Sequence, residues 1–131
     1  MKYITIFSIL LAFALCGCSV STRPSAKFSR QISSADRLLV TNHYYAFGAT
    51  VTGTNVSNLI TAIKLARTKR WGTDLDWGDP FVCNLVFYAG TNQLASIPTV
   101  YGVFNLDGVE YSDVSGVLNA FCKNVAGDRT R

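Results

Sequence analysis

Phe81-Val82-Cys83-Asn84-Leu85-Val86-Phe87-Tyr88 is the stretch that decides the fold of this chain. Successive side chains of a strand point to opposite faces, so one face carries every second residue from Phe81 to Phe87. This face is the more apolar of the two, which is typical of a half-buried strand. The pattern predicts a β-strand in which the side chain of Cys83 points inward.

Upstream of this strand, the sequence predicts two further strands and a helix. Residues 37–41 have an extended pattern, and residues 45–51 alternate between apolar and smaller or polar side chains. Thr54 or Asn55 can cap the helix that follows, because a short side-chain oxygen satisfies free amides of the first turn. The predicted buried stripe of this helix consists of Val56, Leu59, Ile60, Ile63 and Ala66.

Downstream, extended patterns continue through two more segments and a hairpin. Residues 94–99 and 100–105 favour strands, and Pro98 between them indicates a sheet edge or a bend. Asp107-Gly108 is a strong hairpin signal, because both residues tolerate the positive φ of a tight turn. Residues 109–111 are then the return strand.

A second helix closes the pattern. Ser112 or Asp113 can cap it, and its apolar stripe comprises Val114, Val117, Leu118, Phe121 and Cys122. The order of elements is β-β-α-β-β-β-β-α. This order predicts an α+β fold, with an antiparallel sheet of about four to six strands and two helices on one face.

The amino terminus has the three parts of an export signal. Lys2 provides a positive start, residues 4–15 form an apolar run, and Gly17 is a small residue at the break. The run is too short to span a bilayer, which takes about 20 apolar residues, and polar residues follow at once. We therefore expect cleavage of this segment.

Leu15-Cys16-Gly17-Cys18-Ser19 resembles the lipobox of bacterial lipoprotein precursors, in which an aliphatic residue, a small residue, and Gly or Ala precede a cysteine. Leu15, Gly17 and Cys18 match the pattern, whereas Cys16 stands where Ala or Ser is commoner. The resemblance implies a diacylglycerol on Cys18, removal of residues 1–17, and acylation of the new amino terminus with a chain such as palmitate. Ser19 after the cysteine implies the outer membrane if the host is Gram-negative.

This processing predicts the organisation of the whole chain. Residues 1–17 are a cleaved signal peptide, residues 18–34 the lipidated cysteine and a flexible tether, residues 35–124 one domain, and residues 125–131 a polar tail. The composition, with 49% hydrophobic and 15% charged residues, is that of a folded domain. The net charge of +4 is only mildly basic, and no aromatic-basic platform for nucleic acid is present.

Cys83 and Cys122 are the cysteines that remain once Cys16 is removed and Cys18 is acylated. An even pair in an oxidising compartment favours a disulfide, which could form between the inner face of the strand and the last helix. The alternative is two unpaired buried thiols that act as small hydrophobic groups.

The loop Trp71-Gly72-Thr73-Asp74-Leu75-Asp76-Trp77-Gly78-Asp79-Pro80 is unusually rich in tryptophan and aspartate. Trp71 and Trp77, with Asp74 and Asp76, are candidate contacts for a protein or glycan partner. Alternatively, the tryptophans cover the edge of the core and the aspartates pair with nearby cations. Those cations are Lys64, Arg67, Lys69 and Arg70. A Ca²⁺ site at these aspartates is disfavoured, because the glycine and bidentate Glu of the helix-loop-helix pattern are not at the required spacings.

The sequence favours a role other than catalysis and indicates no cofactor or metal. His43 is the only histidine, and its position between two strands suits a turn or capping role. We expect a lipid-anchored envelope protein that binds another protein or a wall component, at the cell surface or in the periplasm. Two alternatives stay open: a small hydrolase, in which the loop aspartates converge with Glu110 as paired carboxylates, and an inhibitor or immunity protein.

Overall fold

The computed structural model describes residues 21–42, 47–69, 75–78 and 82–127. Three helices and seven strands lie within these residues. In chain order they are α1 (Ala26–Ser33), β1 (Arg37–Asn42), β2 (Phe47–Thr52), α2 (Thr54–Leu65), β3 (Arg67–Thr68), β4 (Cys83–Ala89), β5 (Asn92–Val100), β6 (Val103–Leu106), β7 (Val109–Ser112) and α3 (Val117–Gly127).

The strands form one antiparallel sheet in the order β2-β1-β4-β5-β6-β7-β3. The predicted strand from Cys83 onward lies in β4, which pairs with β1 on one side and β5 on the other. Leu85 lies opposite Val40 of β1 and Ile97 of β5, and all three side chains are buried. The predicted α+β class with an antiparallel sheet is therefore confirmed.

The predicted counts of strands and helices are too low. Without β3 and α1, the observed order is the predicted β-β-α-β-β-β-β-α. Strand β3 is only two residues long, so it leaves no alternating pattern in the sequence. It forms because the chain leaving α2 runs along β7, where the Lys69 amide donates to the carbonyl of Glu110 at 2.8 Å.

Helix α1 lies in a segment for which the sequence predicted a flexible tether. Its first turn is capped by Ser25, whose Oγ accepts from the Phe28 amide at 3.2 Å. Phe28 and Ile32 are one helical turn apart and both are buried. With only two large apolar residues among polar ones, the segment reads as a tether until the core that receives them is known.

The core lies between one face of the sheet and the helices. The inner sheet face contributes Leu38, Val40, Cys83, Leu85, Phe87, Ile97, Phe104 and Tyr111 to a single buried cluster. Helix α2 adds Val56, Leu59, Ile60 and Ile63, which confirms its predicted stripe, and α3 adds Leu118. The helices therefore cover the same face of the sheet.

The predicted hairpin is confirmed, and a second one lies beside it. Asp107 and Gly108 have φ of 52° and 83° between the paired strands β6 and β7. Tyr101 and Gly102 have φ of 51° and 78° between β5 and β6. Such two-residue turns match the twist of an antiparallel pair.

Two predicted helix starts need correction. Helix α2 has Gly53 at its N-cap and no side-chain cap, so neither Thr54 nor Asn55 plays that role. Helix α3 begins at Val117, and Val114 lies before it with 76% of its surface exposed. Asp113 does serve this helix, because its Oδ2 accepts from the Leu118 amide at 2.8 Å.

Candidate functional site

The end of the tryptophan-rich loop is joined to the sheet through Glu110 of β7. The Nε1 of Trp77 donates to Glu110 Oε1 at 3.0 Å, and the Nζ of Lys69 donates to Oε2 at 3.1 Å. The Lys69 and Glu110 side chains are 15% and 24% exposed, so this ion pair is partly shielded from water. The two oxygens of one carboxylate thus hold Lys69, just before the loop, and Trp77, within the loop.

This junction favours the interpretation in which Trp77 covers the protein itself. The Trp77 side chain is half-buried, and its indole N–H has an internal acceptor. An indole whose N–H is hydrogen-bonded inside the protein can stabilise the fold as well as contact a partner. Partner binding through the exposed part of Trp77 stays a prediction.

The loop aspartates and their expected ionic partners are only partly in view. Asp76 is exposed, and its Oδ1 accepts from the Gly78 amide at 2.8 Å, which closes a tight local turn. Trp71, Asp74 and Asp79 lie outside the described residues, as does His43.

Three of the cations named as candidate partners of those aspartates have contacts within the described residues. Lys69 pairs with Glu110. Lys64 Nζ lies 3.1 Å from Ser33 Oγ, and Arg67 Nη1 donates to the carbonyl of Ser21 at 3.3 Å. Arg70 lies outside the described residues. Glu110, far from the loop in sequence, is thus an acidic partner of the part of the loop that the structure describes.

Cys83 and Cys122 lie near each other in the core, beside the polar side chains of Thr99 and Asn42. Cys83 is buried and Cys122 is half-buried. Thr99 of β5 lies opposite Cys83 on the neighbouring strand and hydrogen-bonds Cys122, while Asn42 Nδ2 lies 3.9 Å from Cys83 Sγ. Thr99 is fully buried and Asn42 nearly so. Sequence reasoning missed both polar partners, since they belong to other strands.

The surroundings of Cys122 suppress its ionisation. Burial and then the neighbouring Cys83 raise the pKa of Cys122 to about 12, against a smaller lowering by the hydrogen bond with Thr99. The thiolate is the nucleophilic form of cysteine, so this thiol is inert at neutral pH. The arrangement suits a structural role or a bond to Cys83.

The amino-terminal segment is attached to the sheet edge before α1 begins. The Thr68 amide donates to the Thr22 carbonyl at 2.9 Å, and the Thr22 amide donates to Thr68 Oγ1 at 3.2 Å. Together with the contact between Arg67 and Ser21, these bonds hold the segment at Ser21 and Thr22 alongside β3. Ser21, three residues after Cys18, is therefore bonded to the sheet edge.

Two open grooves border the helices. One, of about 270 Å³, lies between α1 and the sheet and is lined by Lys27, Phe28, Gln31, Ile97 and Asp107, among others. The second, of about 220 Å³, lies between α2 and the start of α3 and includes Ala62, Leu65 and Val117. Neither groove includes the residues of the predicted partner surface.

The described residues contain neither a membrane-spanning helix nor a cluster of metal ligands. No helix among them is long and apolar enough to cross a membrane. Nor do they contain a cluster of three or more His, Cys, Asp or Glu side chains that could hold a metal ion.

Comparison with known proteins gives no relative for this chain: no family model, curated protein or solved structure matched it.

Proposed function

We propose that the chain is a lipid-anchored protein of a bacterial envelope, whose α+β domain has a non-catalytic binding or structural role. The position of Cys18 is the observation that carries this proposal. The lipobox-like stretch ends at Cys18, and every described helix and strand begins at or after Ala26. Cleavage before Cys18 and its acylation therefore leave these elements intact.

The proposed role is to hold a binding surface at the membrane. An anchored domain meets other envelope components at a high effective concentration, so a modest surface is enough for binding. The partner we propose is another envelope protein or a wall component. The exposed part of Trp77, whose indole N–H is held by Glu110, is the candidate contact surface.

A hydrolase that uses the acidic loop is less well supported. A general acid needs a carboxyl group that can be aimed at the substrate. Glu110 uses both oxygens to hold Trp77 and Lys69, and Asp76 closes the turn at Gly78. An inhibitor or immunity protein differs from our proposal only in its partner.

The anchor is tested by replacing its cysteine. We expect Cys18→Ala to abolish labelling with radioactive palmitate and to move the protein out of the membrane fraction, because the thiol is the acceptor of the lipid. Cys16→Ala is the matched control, and it should retain both label and membrane fractionation. A Cys18→Ala protein that still fractionates with membranes would show that Cys18 is not the anchor.

The same strains test the binding role. Cross-linking in intact cells, followed by purification of the unmutated protein, should recover a specific envelope component. Its yield should fall with Cys18→Ala, since the unanchored domain loses its effective concentration at the membrane. Recovery of no partner from the unmutated strain would argue strongly against a binding role.

A further inference from the structure

The short span between Cys18 and the folded domain limits how far the domain can lie from a membrane. Ser21 and Thr22 are hydrogen-bonded to β3, so only three residue steps separate the lipid-bearing cysteine from the sheet edge. An extended chain covers at most about 10 Å in three residues, whereas the predicted tether through residue 34 would span about 50 Å. The domain is therefore held close to the lipid head groups.

Three exposed cations follow this attachment point closely in the chain. Arg23, just before α1, and Lys27 and Arg30, on α1, are all exposed. We call these three residues the α1 basic face. Lys27 and Arg30 are three residues apart on α1, on the side away from the buried Phe28 and Ile32. Residues 19–35 contain no Asp or Glu, so no acidic side chain within this segment offsets the three charges.

Neighbouring elements change the local charge only modestly. Lys64 of α2 reaches Ser33 at the end of α1 and adds a fourth cation nearby. Asp107 at the hairpin turn lines the same groove as Lys27 and is an acidic group near it. Asp36 follows the end of α1 and is a second acidic group.

We propose that the α1 basic face lies against an anionic bilayer, so that the lipid on Cys18 and these three cations together orient the domain. This inference rests on the proposed acylation of Cys18. At physiological salt the Debye length is about 8 Å, close to the 10 Å reach of the three residues. The field of anionic head groups therefore extends to cations held at this distance, whereas it would be screened across a 50 Å tether.

The two attachments have different physical roles. Acyl chains supply the hydrophobic anchor, and stable membrane binding commonly combines such a chain with a basic patch. The anchor alone leaves the domain free to rotate about Ser21. Cations on one side of the attachment point select one orientation of the domain about that point.

Lysine acetylation measures this orientation directly. The acylated full-length mature protein is reconstituted into vesicles of phosphatidylcholine, alone or with an equal part of phosphatidylglycerol, and labelled with an acetylating reagent. Lys27 is the reporter, and exposed Lys123 of α3 is the internal control. We expect Lys27 to react about fivefold more slowly on the anionic vesicles, while Lys123 changes by less than about twofold.

Removing the other two cations should abolish this protection. Arg23→Gln with Arg30→Gln keeps Lys27 as the reporter and should restore its reactivity on anionic vesicles. A high salt concentration should do the same, because the Debye length falls to about 3 Å at 1 M.

Other outcomes would overturn the inference. Equal reactivity of Lys27 on the two vesicle types, with the protein fully vesicle-bound, would refute the orientation and leave the anchor intact. Slow reaction of Lys27 without vesicles would assign the surface to a protein contact instead. Failure of the protein to bind either vesicle type would refute both the anchor and the orientation.

Discussion

Burial decides what the thiol of Cys122 can do. An exported protein with reactive cysteines would be open to oxidation and exchange, which depend on the thiolate. Here burial raises the pKa of Cys122, and Cys83 adds to the effect because two neighbouring thiolates would repel each other. The same packing that protects the thiol also keeps it beside its candidate partner.

The pH dependence of stability reports this burial. The folded pKa of Cys122 is about 12 and the ordinary value is 9.0, so the unfolded thiol ionises first as pH rises. The contribution of the Cys122 thiol to the free energy of unfolding is therefore fully present below about pH 9 and is lost as the pH rises toward 12. We expect the free energy of unfolding of the reduced protein to fall by about 1 kcal/mol between pH 8 and pH 10 from this group.

Urea unfolding at the two pH values measures this change. Other groups also titrate in this range. The quantity to compare is therefore the change in the free energy of unfolding between the two pH values, measured for the reduced protein and for Cys122→Ala. The variant should lack this part of the pH dependence. An identical decline in both proteins would show that Cys122 ionises as readily in the folded domain as in the unfolded chain.

Glu110 shows how one carboxylate can decide the position of a loop. A surface ion pair alone contributes little to stability, about 0 to 1 kcal/mol. The carboxylate of Glu110 has a second use, because it also accepts the indole N–H of Trp77. The role of Glu110 is positional, since it brings Lys69, just before the loop, and Trp77, within the loop, to one point on β7.

At the scale of elements, α1 is the largest departure from the sequence-based expectation. Phe28 and Ile32 contribute to the same core as β1, β4 and α2. Gln31 Nε2 donates to the carbonyl of Leu94 on β5, so the helix also covers part of a strand edge. The helix is therefore part of the domain, although its segment has the composition of a tether.

Truncation of Ile32 tests whether α1 is part of the core. Ile32 is fully buried, so we expect Ile32→Ala to lower the free energy of unfolding by about 2 to 4 kcal/mol. Exposed Arg30→Ala, on the other face of the same helix, should change it by less than about 0.5 kcal/mol. Chemical denaturation of the soluble Cys18→Ala chain gives both values. A neutral Ile32→Ala would mean that the segment is a tether after all.

Pro98 illustrates a local signal that was interpreted in the right direction. Proline cannot donate to a ladder, which predicted an edge or a bend. Strand β5 is interior to the sheet, yet β6 pairs only with Thr99 and Val100. The part of β5 that ends at Pro98 is therefore an edge on that side, and α1 lies over it.

At the scale of the whole molecule, Cys83 and Cys122 link the sheet to the last helix. They lie 39 residues apart in sequence, and Thr99 contacts one and pairs with the other. We propose that they form a disulfide in the oxidising envelope. The oxidant would be the disulfide form of a second dithiol, which accepts the two electrons and two protons from Cys83 and Cys122 by thiol–disulfide exchange. Because the folded Cys122 thiol is neutral, we expect oxidation during folding, before α3 packs.

Reduction of this bond should destabilise the domain. A cross-link that closes a loop of this size contributes about 4 kcal/mol on the chain-entropy estimate. The oxidised soluble Cys18→Ala chain should therefore unfold at higher urea concentration than the same chain with reductant. Adding Cys83→Ala and Cys122→Ala to this chain is the control and should show no redox dependence. Two titratable thiols in protein isolated from the envelope would contradict the bond.

Local patterns predicted most of the fold, and their limits are physical. The alternation in β4, the stripe of α2 and the Asp107-Gly108 turn depend on neighbouring residues, so they are legible in sequence. Strand β3 has too few residues to show a period. Helix α1 carries too few apolar residues for its amphipathic pattern to stand out from a polar tether.

The candidate site was predictable only in part for the same reason. The residue types of the loop marked it as unusual, but its anchor, Glu110, lies 33 residues beyond Trp77. Such a contact depends on the register of β7 against β3, which no local pattern encodes.

The sequence by itself determined the antiparallel α+β class and predicts an export signal and a lipid on Cys18, because periodicity and short motifs are local properties. Only the tertiary structure decided that the chain is fixed to β3 from Ser21, that α1 joins the core, and that Cys122 lies beside Cys83. These features require groups distant in the chain to meet. Their energies come from burial and hydrogen bonds that exist only once the sheet has assembled.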